Sequence, residues 1–237
     1  MTEDLYSTDA YLRSCEATVV AVDGNAAILD RTVFYARGGG QPGDTGVLRS
    51  EAGEVRVLDT VKGEGGIRHE CETPPPPVGT RVTCEIDWER RHQLMRTHTA
   101  LHALSGIVER TTGAKVTGGN MEVGGVARMD FELDSISQDF GREIEEALNA
   151  ALAGDTPVHV TFMPRTEALA DADLIRTKVS LIPAHVDPIR IVDIVGIDKQ
   201  ADGGTHVRST GEVGRVRVVK TESKGKGFKR MRIELVD

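Results

Sequence analysis

Two short segments about a hundred residues apart hold the side chains best suited to chemistry: His98-Thr99-Ala100-Leu101-His102 and Asp202-Gly203-Gly204-Thr205-His206. Histidines four apart on a helix project from one face, one turn above the other, which suits two ligands on a single divalent ion. The Gly203-Gly204 pair lets a loop bend tightly enough for Asp202 and His206 to converge on the same point. Three imidazoles and a carboxylate would then form a four-ligand, zinc-type site. The helical pair lacks the glutamate that supplies the general base in H-E-x-x-H metalloproteases, so proteolysis is disfavoured. A lone H-x-x-x-H pair is also common as ordinary core or surface histidine, and it is the second segment that sets this one apart.

The second segment runs on into Val207 and then Thr210-Gly211-Glu212-Val213-Gly214. Together with Arg96-Thr97-His98-Thr99-Ala100-Leu101-His102 it resembles the editing domain of alanyl-tRNA synthetase and its free-standing relatives, the AlaX proteins. A third segment extends the resemblance: Leu29-Asp30-Arg31-Thr32-Val33-Phe34-Tyr35, leading into Gly38-Gly39-Gly40-Gln41-Pro42-Gly43-Asp44-Thr45-Gly46, is similar to the N-terminal glycine-rich module of the synthetase and of medium-length AlaX proteins. The likeness spans roughly residues 1 to 235. A chain of 237 residues has no room for an aminoacylation domain, and its histidine pair begins too late for the short AlaX form. The medium-length form fits best.

That resemblance implies hydrolysis of the ester in mischarged tRNA(Ala), with seryl-tRNA the first expected substrate and glycyl-tRNA a second. It implies one Zn2+ per chain on His98, His102, Asp202 and His206, and the acceptor end of tRNA(Ala) as partner. The chain departs from the family at one ligand, because Asp202 stands where the usual motif has Cys before Gly-Gly-Thr-His. Carboxylate is the harder donor and favours thiophilic metals less. Asp202 therefore either ligates through oxygen or sits behind an imidazole, leaving three histidines and an open position for water.

An aminoacyl ester is already activated, so its hydrolysis needs a positioned water and a stabilised oxyanion more than a protein nucleophile. A metal could activate the water, polarise the carbonyl or orient the tRNA end. Thr97, Thr99 and Thr205 are nearby hydroxyls that could hold ester or water, or could simply bond to backbone. Selecting serine over the smaller alanine requires a polar group that alanine leaves unpaired. Thr32 is the candidate, and the family resemblance points to the same position; the alternative is an exposed strand threonine. Gly38, Gly39 and Gly40 with Gln41 are further substrate-binding candidates, the glycines allowing close backbone approach. No Gly-Lys-Ser/Thr follows them, so they are not a P-loop. Asn120 falls near the family's polar editing position.

The elements that must position these groups divide near Asp87. Before it, Ala17 to Val22 and Ala26 to Leu29 flank an Asp23-Gly24-Asn25 turn, and Glu54 to Leu58, Ile67 to Cys71 and Arg81 to Ile86 read as further short strands. Short strands punctuated by Gly and Pro predict a small β-barrel over residues 1–87, with Pro74 to Pro77 in a loop. After it, Trp88 to Glu109 reads as a helix anchored by Leu94, Leu101, Leu104 and Val108. Val126 to Leu133 and Val158 to Phe162 read as strands, Ile136 to Ala153 as a helix and Glu167 to Asp173 as a short helical piece. Ile189 to Val195, Val213 to Val219 and Arg230 to Val236 complete one antiparallel set. The expected fold class is α+β: the barrel, then an editing domain over 88–237 with helices packed on an antiparallel sheet.

Composition fits a cytoplasmic protein, with 39% hydrophobic and 28% charged residues and no apolar run long enough for a membrane span or signal peptide. Cys15, Cys71 and Cys84 are scattered, as for reduced thiols. A net charge of −8 is awkward for binding a polyanion, so contacts should concentrate where basic residues cluster. Arg215, Arg217, Lys220, Lys224, Lys226, Lys229, Arg230 and Arg232 form one such cluster, readable also as the solvent face of a strand. Arg90, Arg91 and Arg96 form another. Two other function classes fit the same residues: a tRNA-binding accessory module with a structural or lost metal, and a metal hydrolase of small esters or amides. Oligomeric state is unknown from sequence.

Overall fold

A computed structural model of the chain describes residues 2–171, 174, 184 and 186–236. It divides into two compact units, Met1–Gln93 and Leu94–Asp237.

In the first unit, β1 (Glu3–Asp4) pairs in parallel with β4 (Arg31–Thr32). The remaining strands are β2 (Ser14–Asp23), β3 (Ala26–Leu29), β5 (Gly46–Ser50), β6 (Gly53–Gly63), β7 (Gly66–Cys71) and β8 (Arg81–Ile86). They close into a six-stranded barrel in the order β2-β3-β7-β6-β5-β8. Closure removes the unpaired edges that so short a sheet would otherwise expose. Alternate residues point inward, as in β8, where Val82, Cys84 and Ile86 are buried, and they meet Val19, Leu29, Phe34, Leu48 and Val57 in one apolar core. The barrel closes through β5, which was not expected as a strand. Its entry is tight: a Cβ on Gly46 would lie 2.1 Å from the Glu85 carbonyl oxygen, so glycine is what lets β5 pair with β8.

Helix α1 (Trp88–Thr112) begins where Asp87 accepts the Arg90 N–H at 3.1 Å, an N-cap. It runs three residues beyond the expected Glu109. In the second unit come β9 (Val116–Met121), β10 (Val126–Glu132), α2 (Gln138–Leu152), β11 (Val158–Met163), α3 (Arg165–Ala170), β12 (Ile189–Ile194), β13 (Asp198–Ala201), β14 (Arg215–Ser223) and β15 (Phe228–Val236). The strands expected to form one antiparallel set fall into two sheets, β14-β15-β10-β9 and β11-β12-β13. Strands β9 and β13, which the sequence reading leaves unassigned, complete them. The short helix ends at Ala170, and residues 172 and 173 of the expected piece lie outside the described residues.

Ser137 caps α2 by accepting the Phe140 N–H, and Ile144, Leu148 and Leu152 bury one stripe of that helix. Two of its polar side chains cover the edge strand β14: Asn149 accepts the Val216 N–H at 2.9 Å and Glu145 the Val218 N–H at 2.7 Å. Backbone donors that could recruit another strand are thereby satisfied. Among the described residues no helix is long and apolar enough to cross a membrane.

Candidate metal centre

His98 and His102 lie on α1, and Asp202 and His206 on the loop that follows β13. The sequence spacing brings each pair together locally, and the fold brings the pairs to one place. Each residue offers one ligand atom, and all four atoms fall within 4.8 Å of one another. Asp202 Oδ2 is 3.2 Å from His206 Nε2, and its Oδ1 is 3.7 Å from His98 Nε2 and 3.9 Å from His102 Nε2. Ligand atoms placed about 2 Å from a tetrahedral ion stand roughly 3.3 Å apart, so the set is close to the size a zinc-like ion requires. The cluster could hold a metal ion. Its nitrogen and carboxylate donors suit a divalent transition metal.

Two glycines make this convergence sterically feasible. A Cβ on Gly106, one turn beyond His102, would sit 2.3 Å from the Ile197 carbonyl oxygen and 3.0 Å from Asp198 Cβ, so glycine allows α1 to touch the entry of β13. Glycine inside a helix costs about 1 kcal/mol relative to alanine, a penalty offset here by the contact it permits. In the loop, Asp202 Oδ2 accepts the Gly204 N–H at 2.6 Å, an Asx turn that folds the chain back toward His206. Arg190 on β12 ties the loop down: its guanidinium donates to the Asp202 carbonyl at 3.0 Å, and its own carbonyl accepts the Asp202 N–H at 3.1 Å.

Burial pushes the His98 imidazole down to about 4, with the Asp202 carboxylate pulling the other way. Burial and the neighbouring His98 and His102 also hold His206 well below the ordinary histidine range. Burial opposes ionisation of Asp202, yet His98, His206 and His102 around it keep its carboxyl well below the usual carboxylate range. Neutral imidazoles facing an ionised carboxylate are the protonation states a metal ligand set needs at neutral pH.

Thr97, Thr99 and Thr205 are all buried, and the Thr99 hydroxyl lies 3.1 Å from His206 Nδ1 and accepts the Val207 N–H at 3.3 Å. Thr32 is buried in the first unit, where its hydroxyl stands 2.8 Å from His69 Nε2 and accepts the Phe34 N–H at 3.0 Å. It is not an exposed strand residue. Gly38 and Gln41 exchange backbone hydrogen bonds across a turn in which Gly39 and Gly40 take positive φ. Gly43, just after this turn, packs tightly within the barrel, where a Cβ would lie 2.2 Å from the Thr60 carbonyl oxygen. Gln41 is buried beside this turn. Asn120 lies in β9 opposite Arg128, its amide reaching the Met121 carbonyl at 3.4 Å, in the sheet that does not contain the Asp202 loop.

Arg91 is not available to phosphate. Its guanidinium is wholly buried and bonded to Asp44 and to the carbonyls of Ala10 and Val33. Arg90 donates to the Gly43 carbonyl and Arg96 to that of Val213. In the C-terminal hairpin, Arg217 pairs with Glu234, Lys220 and Arg232 with Glu222, and Arg230 with Asp130. Those cations serve the face of the sheet, whereas Lys224 and Lys226 are exposed in the connection between β14 and β15. Sequence reasoning missed Asp198, Gln200 and Arg190 around the cluster. Arg190, set between Ile189 and Ile191, is the one whose apolar surroundings signal a buried and therefore bonded charge.

Fold and site define the class of this protein: a barrel and an α+β unit whose parts are similar to tRNA synthetase families. Residues 10–90 match the family of class II (A) tRNA synthetases, and residues 189–232 match the threonyl and alanyl tRNA synthetase second additional domain. The chain is 38% identical to the alanyl-tRNA editing protein AlaX-M of Methanosarcina barkeri, over 100% of both chains. It is 39% identical to that of Saccharolobus solfataricus over 98% of each. An alanine–tRNA ligase of Pyrobaculum arsenaticum is 40% identical over 93% of this chain, which corresponds to 25% of the ligase. The chain belongs to the AlaX-M family of alanyl-tRNA editing proteins.

Proposed function

We propose that this protein is a cytoplasmic aminoacyl-tRNA deacylase that hydrolyses the ester of mischarged tRNA(Ala), acting on the serine ester first and the glycine ester second. The observation that carries this reading is the convergence of His98, His102, Asp202 and His206 in a chain that matches alanyl-tRNA editing proteins from end to end. The relatives' names supply the substrate class, and the donor set supplies the chemistry.

The residues fit a zinc ion held by those four side chains. When bound, such an ion supplies a Lewis acid that can activate water or polarise the ester carbonyl. The chain's own groups do the rest. Burial keeps the His98 and His206 imidazoles neutral, and the Asp202 carboxylate would offset the positive charge of a bound ion. The acceptor end is drawn to cationic side chains, of which Lys224 and Lys226 are accessible. Thr32 carries the preference for serine: with its proton directed to His69 and one lone pair taken by the Phe34 N–H, it keeps one lone pair to accept a bond from a serine hydroxyl. Because Thr32 has no exposed surface, the groups covering it must shift for that contact. Gly38 to Gly40, Gln41 and Asn120 remain assigned to the substrate.

The test is a deacylation assay on seryl-tRNA(Ala) and alanyl-tRNA(Ala), with the metal content of the same preparation measured alongside. Loss of serine with alanine spared, at about one zinc per chain, is the expected result. His98→Ala and His206→Ala should each abolish turnover. Absence of hydrolysis by the zinc-loaded chain would leave the accessory-module reading in its place.

A further inference from the structure

An imidazole that ligates through Nε2 carries its proton on Nδ1, and that proton needs an acceptor if ring orientation and tautomer are to be held. The Nδ1 atom of His206 faces the Thr99 hydroxyl at 3.1 Å. Thr99 is fully buried, and the Val207 N–H donating into it at 3.3 Å ties the hydroxyl to the loop bearing His206. The Nδ1 atom of His102 faces two groups, Asp198 Oδ2 at 3.4 Å and Gln200 Nε2 at 3.2 Å.

Only one of those two can accept a proton. Gln200 Nε2 is an amide donor and lies 2.6 Å from Asp198 Oδ2; turning the amide over would set two acceptors against each other at that distance. Gln200 therefore anchors the Asp198 carboxylate; with the proton on Nδ1, as ligation through Nε2 requires, the Gln200 amide nitrogen at 3.2 Å cannot accept it and the carboxylate oxygen at 3.4 Å is the acceptor left. Asp198 is buried at the start of β13, against the α1 surface that Gly106 leaves open.

We propose that Thr99 and Asp198 are positioning residues that set the Nδ1–H tautomers of His206 and His102 and so hold both Nε2 atoms bare and aimed at a divalent transition-metal ion. Gln200 and Gly106 keep Asp198 in place. The inference rests on the metal reading above but not on which ester is hydrolysed. It also moves Thr99 from the substrate to the ligand set, since its oxygen is already engaged by His206 and Val207.

The experiment is a zinc titration of the demetallated full chain against a competing chelator, for the wild type and for Thr99→Val, Thr99→Ser and Asp198→Ala. Partners of this kind typically contribute 10–100-fold in metal affinity, so Thr99→Val and Asp198→Ala should each weaken zinc binding by about that factor. Thr99→Ser, which keeps the oxygen and drops the methyl, should stay near wild type. Thermal unfolding of the metal-free proteins guards against misfolding, and the Thr99→Val and Thr99→Ser pair carries the test should Asp198→Ala fail to fold. Equal weakening by Thr99→Val and Thr99→Ser would mean that packing rather than the hydroxyl matters and would overturn the role of Thr99. Zinc affinities within about twofold of wild type in Thr99→Val and Asp198→Ala would overturn the inference while leaving the metal site intact. Failure of the wild-type chain to bind zinc would instead overturn the metal reading, and this inference with it.

Discussion

Asp202 Oδ2 lies 3.2 Å from His206 Nε2 while accepting the Gly204 N–H at 2.6 Å, so the carboxylate is held by its own loop and turned toward the imidazoles. Its other oxygen faces His98 and His102. On the proposed metal reading, Asp202 ligates directly. Asp202→Ala should weaken zinc binding by about tenfold or more, leaving three nitrogen donors, and Asp202→Cys should shift the preference toward thiophilic metals such as zinc and cadmium over manganese. Competitive metal titration measures both. Wild-type affinity in Asp202→Ala would place the carboxylate outside the coordination sphere.

Arg91 and Asp44 form an ion pair with neither side chain exposed. Removing one partner from a buried pair strands the other charge, which costs about 3–5 kcal/mol. Arg91→Met should lower stability by that amount in urea unfolding. Replacing both residues with apolar ones of similar volume should recover most of the loss. A single variant as stable as wild type would show that water reaches Asp44.

His69 supplies a pH dependence. Burial pushes its imidazole down to about 4 from an ordinary 6.5. In the interval between those values the unfolded chain binds the proton and the folded chain does not, so stability rises with pH there and falls on acidification. From pH 7 to pH 5 this one group should remove about 2 kcal/mol. Urea unfolding at the two pH values, on wild type and His69→Gln, isolates the contribution. An identical difference in both proteins would assign the acid sensitivity to other groups.

Thr32→Val removes the hydroxyl and keeps the shape. Relative rates of deacylation on serine and alanine esters should then converge, by about tenfold or more if the lost bond leaves a polar group unpaired. Unchanged relative rates would take Thr32 out of substrate selection and leave it as an internal partner of His69.

The residues that could hold a metal were legible in the sequence because each pair lies within five residues of one chain segment, where helical periodicity and glycine-permitted bending are local properties. The same holds for strands such as Arg81–Ile86, whose inward and outward residues alternate, and for helix α1, whose expected anchors Leu94, Leu101, Leu104 and Val108 are all buried. Strands β5, β9 and β13 were not legible. Gly-rich or polar stretches become strands only when a neighbour offers them hydrogen bonds. For β5 one such neighbour, β8, is distant in sequence, whereas β9 and β13 pair with β10 and β12 across short turns and lack the apolar alternation that would mark them locally.

Tertiary structure alone decided which charges are available. Arg90, Arg91 and Arg96 look alike along the chain, yet Arg91 is sealed against Asp44 forty-seven positions away. Burial depends on contacts at long sequence separation, and no local pattern encodes it. The groups behind the histidines were decided in the same way, since Asp198 reaches His102 only because α1 and β13 meet at Gly106. The sequence by itself determined which atoms could bind a metal. The fold determined which other atoms orient them, because orientation comes from packing between segments that the chain leaves about ninety residues apart.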